Sequence, residues 1–307
     1  MQVPGLKQAP LSTTVMACIQ GAATLFGHER STAMLFGLSG HAFLVNIHPG
    51  DLCPSAPYVW KKSRFRELLS GLGIDTVAEY QVTRDTPPPV RRTVEDELKS
   101  HLEAGHACVL DYLEHQLISG FDDGGLTLLL PWEGHAPTEV ARVAFGTWDP
   151  CLANEGWAHL TVMAPGSALA LRETLRRALE HALELTRHPS AVEAEGYRVG
   201  PRAYEAWMDG VRRGMGSSHG HWWNGMVWSE CRQQAAAFFR ELAGQLPGPD
   251  AETARGELER LYGTAATALT AASEKELDVA EQLRLLAQAR DAEAAAVPAL
   301  EALAAAL

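Results

Sequence analysis

Cysteine is scarce in this chain of 307 residues, and its spacing is as informative as its number. No two cysteines form a CxxC pair, and the five are scattered along the sequence: Cys18, Cys53, Cys108, Cys151 and Cys231. An odd, dispersed set excludes a disulfide framework and a cysteine-rich zinc site. We therefore expect free thiols in a reducing cytoplasm, with no metal ion and no cofactor.

Basic residues and long apolar runs are also lacking. Lys and Arg number 26 against 38 Asp and Glu, a net charge of −12, whereas nucleic-acid binding requires clustered positive charge. No run of about 18 apolar residues predicts a membrane span, and the N-terminus lacks the apolar core of a secretory signal. We expect a small-molecule partner rather than nucleic acid or a membrane, and the Ala/Leu-rich tail leaves a homo-oligomer open.

The first half of the sequence mixes helical and strand patterns. "TTVMACIQGAATLFG" (13–27) has apolar residues at helical spacing, and "TPPPVRR" (86–92) predicts a rigid connector before a helix that begins at Thr93. Strand patterns follow in quick succession: "ACVLDYL" (107–113), "HQLISGFD" (115–122), "LTLLLPW" (126–132) and "WAHLTVMA" (157–164). Because "DDGG" (122–125) is typical of a tight hairpin, these segments predict an α+β domain with an antiparallel sheet.

The second half is helical in pattern. Long amphipathic or Ala-rich segments follow Pro165: 167–188, 201–214, 219–246, 250–273 and 274–307. Pro201, Pro247 and Pro298 are interpreted as helix boundaries. We therefore predict a first domain over residues 10–165, and an all-α bundle or cap over 166–307.

Four segments together resemble a known group of proteins. They are "ACIQGAATLFG", "MLFGLSGHAFLVNIHPGDLCPSAPYVW", "EHQLISGFDDGG" and the helical half with "YRVGPRAYEAWMDGV". This combination resembles uncharacterised bacterial proteins with a papain-like N-terminal domain, related to bacteriocin-processing cysteine peptidases and to the acyltransferase of butirosin biosynthesis. The resemblance implies a papain-like fold, with Cys18 at the position of the nucleophile and "GFDD" (120–123) at the end of the strand that presents the base.

The chain departs from that family pattern at two of three catalytic positions. The base lies six residues before the glycine in active relatives, which places Glu114 there and His115 one residue further on. Because side chains alternate along a strand, we expect His115 to face away if Glu114 faces Cys18. The acid that orients the base precedes a proline in the family, but Leu130 precedes Pro131 here. A carboxylate beside a thiol raises the thiol pKa, which opposes papain-type chemistry.

Two functions from different classes therefore remain open. One is a thiol-dependent acyltransferase or amidohydrolase that uses Cys18, with His41 or His115 as base. The other is a catalytically inactive protein that holds a small polar or amine ligand between its domains. Further candidates for substrate binding are Gly40, Gly120 and Asp122 in glycine-rich turns, and Tyr204 with Trp207 on one helical face. His219 and His221, two residues apart, do not suit a metal site on a helix.

Overall fold

The structure is a computed structural model that describes residues 1–132 and 140–307. Its helices are α1 (Thr14–Leu25), α2 (Thr32–Leu38), α3 (Ser63–Gly71), α4 (Pro88–Glu103), α5 (Cys151–Asn154), α6 (Leu171–Arg187), α7 (Pro201–Arg212), α8 (His219–Glu241), α9 (Gly248–Ala272) and α10 (Val279–Ala306). Its strands are β1 (Asn46–Ile47), β2 (Ile74–Thr83), β3 (Ala107–Asp111), β4 (His115–Asp122), β5 (Gly125–Leu128), β6 (Arg142–Ala144), β7 (Trp157–Pro165) and β8 (Arg198–Val199). Within these ranges, no helix has both the length and the apolar character needed to cross a membrane.

The chain divides into two compact units, each made from two segments. The first unit comprises Met1–Arg30 and Ser70–Ala168, and the second comprises Ser31–Leu69 and Leu169–Leu307. The predicted division at residue 165 lies close to the observed boundary at Ala168. The difference is that residues 31–69 group with the helical half rather than with the sheet. Gly37 on α2 explains part of this grouping, because the absence of a side chain lets α2 approach the ring of Phe238 on α8.

The first unit is built around a six-stranded antiparallel sheet, which confirms the predicted α+β class. The strand order is β2-β7-β3-β4-β5-β6. The predicted hairpin is present, since Asp122 pairs with Gly125 across the turn between β4 and β5. Sequence analysis missed β2, an edge strand of ten residues that pairs with β7 along its whole length. Helix α1 packs against β4 and β3.

Helix α4 begins earlier than predicted. We expected residues 86–92 to form a connector, but α4 starts at Pro88 with Pro87 as its N-cap. The prediction was wrong because proline is excluded from the helix interior but not from the first turn, where a missing N–H costs no helical hydrogen bond. The helix then ends at Glu103.

The second unit contains the long C-terminal helices and the two-stranded β1–β8 ribbon. Helix α10 continues through Pro298, which we had interpreted as a boundary. Pro298 and Ala294 are both exposed, so the carbonyl group that loses its helical N–H donor lies on the hydrated face. Leu300 and Leu303 near the end of α10 are buried, so these two residues are not part of an exposed apolar tail, and the homo-oligomer stays an open possibility.

Candidate functional site

Cys18 lies on the buried face of α1 in the first unit. Only 1 % of its surface is exposed. It is the fifth residue of α1, which begins at Thr14, so it lies beyond the first turn. The electrostatic effect of a helix N-terminus decays within that turn, so α1 gives little help in ionising this thiol.

Two carboxylates oppose ionisation of the same thiol. Asp111 is the last residue of β3, and Glu114 lies in the short connection between β3 and β4. Burial raises the pKa of Cys18 well above its ordinary value, and the negative charges of Asp111 and Glu114 raise it further. The thiolate is the reactive form of cysteine, so this environment opposes the form of Cys18 that would act as a nucleophile.

Thr14 ties the start of α1 to the β3–β4 connection. Its hydroxyl group donates to Glu114 Oε2 at 2.9 Å and accepts from the backbone N–H of His115 at 3.2 Å. Thr14 and Glu114 are both buried. The carboxylate of Glu114 is therefore held by a neutral hydroxyl group on the helix that carries Cys18. This hydrogen bond fixes the side chain at the position that the resemblance assigns to the base.

His115 lies on the face of the sheet that α1 covers. Leu117, two residues along β4, contacts α1 beside Gly21, and a strand places alternate residues on the same face. His115 also pairs directly with Asp111 across β3 and β4, and its Nε2 lies 3.4 Å from Asp111 Oδ2. The expectation that His115 and Glu114 face opposite ways does not hold, because Glu114 precedes the first residue of β4 and strand alternation does not extend to it.

The carboxylate next to the imidazole comes from an unexpected strand. The family pattern places it before Pro131, where Leu130 stands with 45 % of its surface exposed. Asp111 takes the neighbouring place from β3 instead. Sequence analysis missed Asp111 and Thr14. A signal for Asp111 was present, because it is an acid near the end of an otherwise apolar strand pattern.

Aromatic and imidazole rings surround the end of β3. His159 on β7 pairs with Asp111 on the side opposite to His115. The ring of Trp157 lies 5.1 Å from that of His159 and 5.6 Å from that of Tyr112, measured between ring centres. The Asp111 side chain is 17 % exposed, and His159 is exposed. A carboxylate and aromatic rings at neighbouring positions of one sheet are groups that can bind an organic cation, through ionic and cation–π interactions.

His41 belongs to the second unit, whereas Cys18 belongs to the first. It is 2 % exposed, and aromatic rings surround it within that unit at centre distances of 5.5 to 6.4 Å: Phe36, Trp60, Phe65 and Trp228. Gly40 before it has a φ of 76°, and a Cβ there would lie 2.6 Å from the ring of His181. Within the second unit, both residues have a packing role.

Gly120 and Asp122 have structural partners in the first unit. Gly120 forms a backbone bridge with Gln2, and a side chain at Gly120 would collide with the carbonyl oxygen of Met1. Asp122 accepts from the backbone N–H of Gly124 at 2.7 Å and from Arg142 Nη1 at 2.9 Å. Asp122 thus stabilises the β4–β5 turn, and Gly120 allows the N-terminal segment to approach β4.

Tyr204 and Trp207 are both in the core of the second unit. The Tyr204 hydroxyl group donates to Glu293, and Trp207 Nε1 donates to His221 Nδ1 at 3.0 Å. Each is at most 1 % exposed, so within this unit neither presents a free ring. Across residues 1–132 and 140–307, no three His, Cys, Asp or Glu side chains form a group that would hold a metal ion.

Comparison with known proteins adds no assignment. No protein-family model matches the chain. No curated protein matches it either. Arguments about function therefore depend on the arrangement around Cys18 and on the resemblance noted in the sequence.

Proposed function

We propose that this protein is a catalytically inactive, papain-like-fold protein that binds a small organic cation, such as an amine, beside Asp111. The burial of Cys18, together with the nearby carboxylates Asp111 and Glu114 that raise the pKa of its thiol, is the observation that carries the proposal. A thiol enzyme requires a positive neighbour or an imidazolium to ionise its cysteine, whereas two carboxylates favour a positively charged ligand. The five free cysteines support a reducing compartment such as the cytoplasm.

The ligand class follows from what the end of β3 offers. Asp111 supplies the negative charge at a partly exposed position, and Trp157 lies two residues along β7 from His159, the residue that pairs with Asp111. His115 at 3.4 Å restricts the orientation of the carboxylate. Glu114 is more deeply buried and held by Thr14, so it contributes charge rather than direct contact. A small amine or guanidine satisfies these groups better than an anion does.

Thiol labelling tests the inactive state. Among the five cysteines, all in described residues, Cys53 alone is not buried. We expect iodoacetamide at about pH 7 to modify Cys53 first and Cys18 at least ~10-fold more slowly, because the thiolate fraction and access both decrease on burial. Mass spectrometry of the peptides gives the rates. Labelling of Cys18 ahead of Cys53 would contradict the proposal and favour a thiol enzyme.

Ligand screening tests the binding function. A library of primary amines and guanidines should contain a compound that raises the melting temperature, as expected for selective binding to the folded state. Asp111→Asn should remove that shift, because a neutral amide cannot balance the positive charge. Asp123→Asn, which changes an exposed acid in the β4–β5 turn of the same sheet, is the matched control and should keep it. A shift that survives Asp111→Asn would place the ligand elsewhere.

A thiol-dependent acyltransferase or amidohydrolase is the second candidate. It is favoured by the 3.4 Å separation of His115 and Asp111, the pair that holds an imidazole in place in cysteine and serine hydrolases. In that case His115→Gln should slow the alkylation of Cys18. An unchanged labelling rate would remove the support for His115 as base.

A further inference from the structure

Two histidines close the C-terminal end of α4 in the first unit. The backbone N–H of His106 donates to the carbonyl of His101 at 3.0 Å, and that of Gly105 donates to Leu102 at 3.1 Å. With Gly105 at a φ of 80°, this is the Schellman arrangement of a helix end. An apolar contact commonly joins the two residues in the places of His101 and His106. Here two imidazoles make the contact, with ring centres 5.2 Å apart.

The two imidazoles face each other through the same kind of atom. His101 Nδ1 and His106 Nδ1 are 2.9 Å apart, a hydrogen-bond distance. One of these atoms must carry a proton and the other must offer a lone pair, because a neutral imidazole has one donor and one acceptor. The Nδ1–Nδ1 hydrogen bond can therefore form when both imidazoles are neutral and also when one of them is protonated. A second added proton leaves two N–H groups and two positive charges facing each other.

Two other titratable groups near the pair, Tyr80 and Cys108, have raised pKa values. Tyr80 on β2 places its hydroxyl group 3.2 Å from His101 Nε2. Burial and a hydrogen bond to Glu97 raise the pKa of Tyr80 to about 12. Burial raises the pKa of Cys108 on β3, which interacts with Tyr80, to about 12. Tyr80 contacts the Nε2 side of His101, which leaves Nδ1 of His101 for His106.

We propose that His101 and His106 form a pH-sensitive clasp that fastens the end of α4 while at most one Nδ1 is protonated and releases it when both are. Burial, then the charge of His101, lower the pKa of His106, as this geometry requires. Because the pKa of His106 is lower in the folded state than in the unfolded state, stability is lost as pH falls below the ordinary histidine pKa of about 6.5. Release acts directly on β3, which begins at Ala107, the residue after His106.

Titration of individual histidines by NMR tests the clasp in the full chain. In the unmodified protein, the C2 proton of His106 should titrate below about 6.5. In His101→Gln, whose side chain at this position carries no charge, the pKa of His106 should rise towards the ordinary histidine pKa of about 6.5. An unchanged His106 titration in this variant would overturn the proposal, as would a His106 value at or above about 6.5 in the unmodified protein.

Hydrogen exchange gives a second readout that does not depend on a variant that folds. The amide proton of His106 should lose protection between about pH 7 and pH 5, after correction for the intrinsic rate, because it closes the helix end that the clasp fastens. The melting temperature of His106→Asn should vary less over that interval than that of the unmodified chain. His188→Gln, a change at an exposed histidine, is the control and should leave the variation unaltered. Constant protection of the His106 amide would contradict release.

Discussion

Arg232 on α8 is a fully buried charge whose removal should strongly reduce the stability of the second unit. Its side chain has no exposed surface, and it binds Glu293 on α10 through Nε at 2.6 Å and Nη2 at 2.8 Å. It also donates to the carbonyl groups of Ala42, Phe43 and Leu44. Burial alone would lower the pKa of Arg232, but the Glu293 carboxylate raises it, so the guanidinium stays charged.

The substitution Arg232→Met should therefore cost far more than an ordinary core change. It keeps an apolar stem but leaves the Glu293 carboxylate with the Tyr204 hydroxyl group in place of a full counter-charge. Breaking a buried ion pair from one side costs about 3–5 kcal/mol in comparable proteins. The three carbonyl groups lose a donor as well, each worth about 1 kcal/mol. We expect a loss of at least about 4 kcal/mol from the second unit.

Urea unfolding of the full chain, followed by tryptophan fluorescence and by helical circular dichroism, measures this loss. Because the chain has two compact units, the transition that includes the helical signal is the relevant one. Arg240→Met is the matched control on the same helix. Arg240 is 69 % exposed and pairs with Glu259 at 2.8 Å, so its loss should cost below about 1 kcal/mol.

The double variant Arg232→Met, Glu293→Leu separates the ion pair from the packing around it. Removing both charges leaves no buried carboxylate without a partner, so this variant should be more stable than Arg232→Met alone. A single substitution that costs no more than the Arg240→Met control would refute the reasoning. A double variant less stable than the single one would show that packing, not charge, dominates here.

Two further predictions concern close packing and pH. Gly21→Ala should destabilise the first unit by about 1–3 kcal/mol, because a Cβ there would lie 2.5 Å from Leu117 Cδ1. Gly256→Ala is the control: a Cβ there has no neighbour within 4 Å, so the substitution should stabilise its helix by up to about 1 kcal/mol. Equal shifts of the melting temperature in the two variants would contradict this prediction. Burial lowers the pKa of His221, which accepts a hydrogen bond from Trp207, so the stability of the folded chain should fall as pH drops below about 6.5. The melting temperature of His221→Gln should therefore depend less on pH. Identical curves for the two proteins would exclude His221 as a source of the pH dependence.

Local sequence rules predicted most elements but not how they group. Turn chemistry located the β4–β5 hairpin at residues 122–125, and apolar spacing located α1 and the C-terminal helices. The same rules could not assign residues 31–69 to the second unit, because that grouping depends on contacts with segments more than 100 residues away, such as Gly37 with Phe238. Strand β2 was missed because its residues are mostly half-buried or exposed, so it lacks a continuous apolar pattern.

The electrostatic character of the candidate site follows from one hairpin. Residues 112–114 join β3 to β4, so Asp111 and His115 are direct neighbours across the two strands. The sequence analysis extended the first strand to residue 113 and left only Glu114 as a connection, so it did not predict this pairing. The same short connection holds Glu114 against Thr14 at the start of α1. A hairpin that brings two acids close enough to raise the pKa of the Cys18 thiol opposes its activation, and this is the physical basis of the proposed cation-binding function.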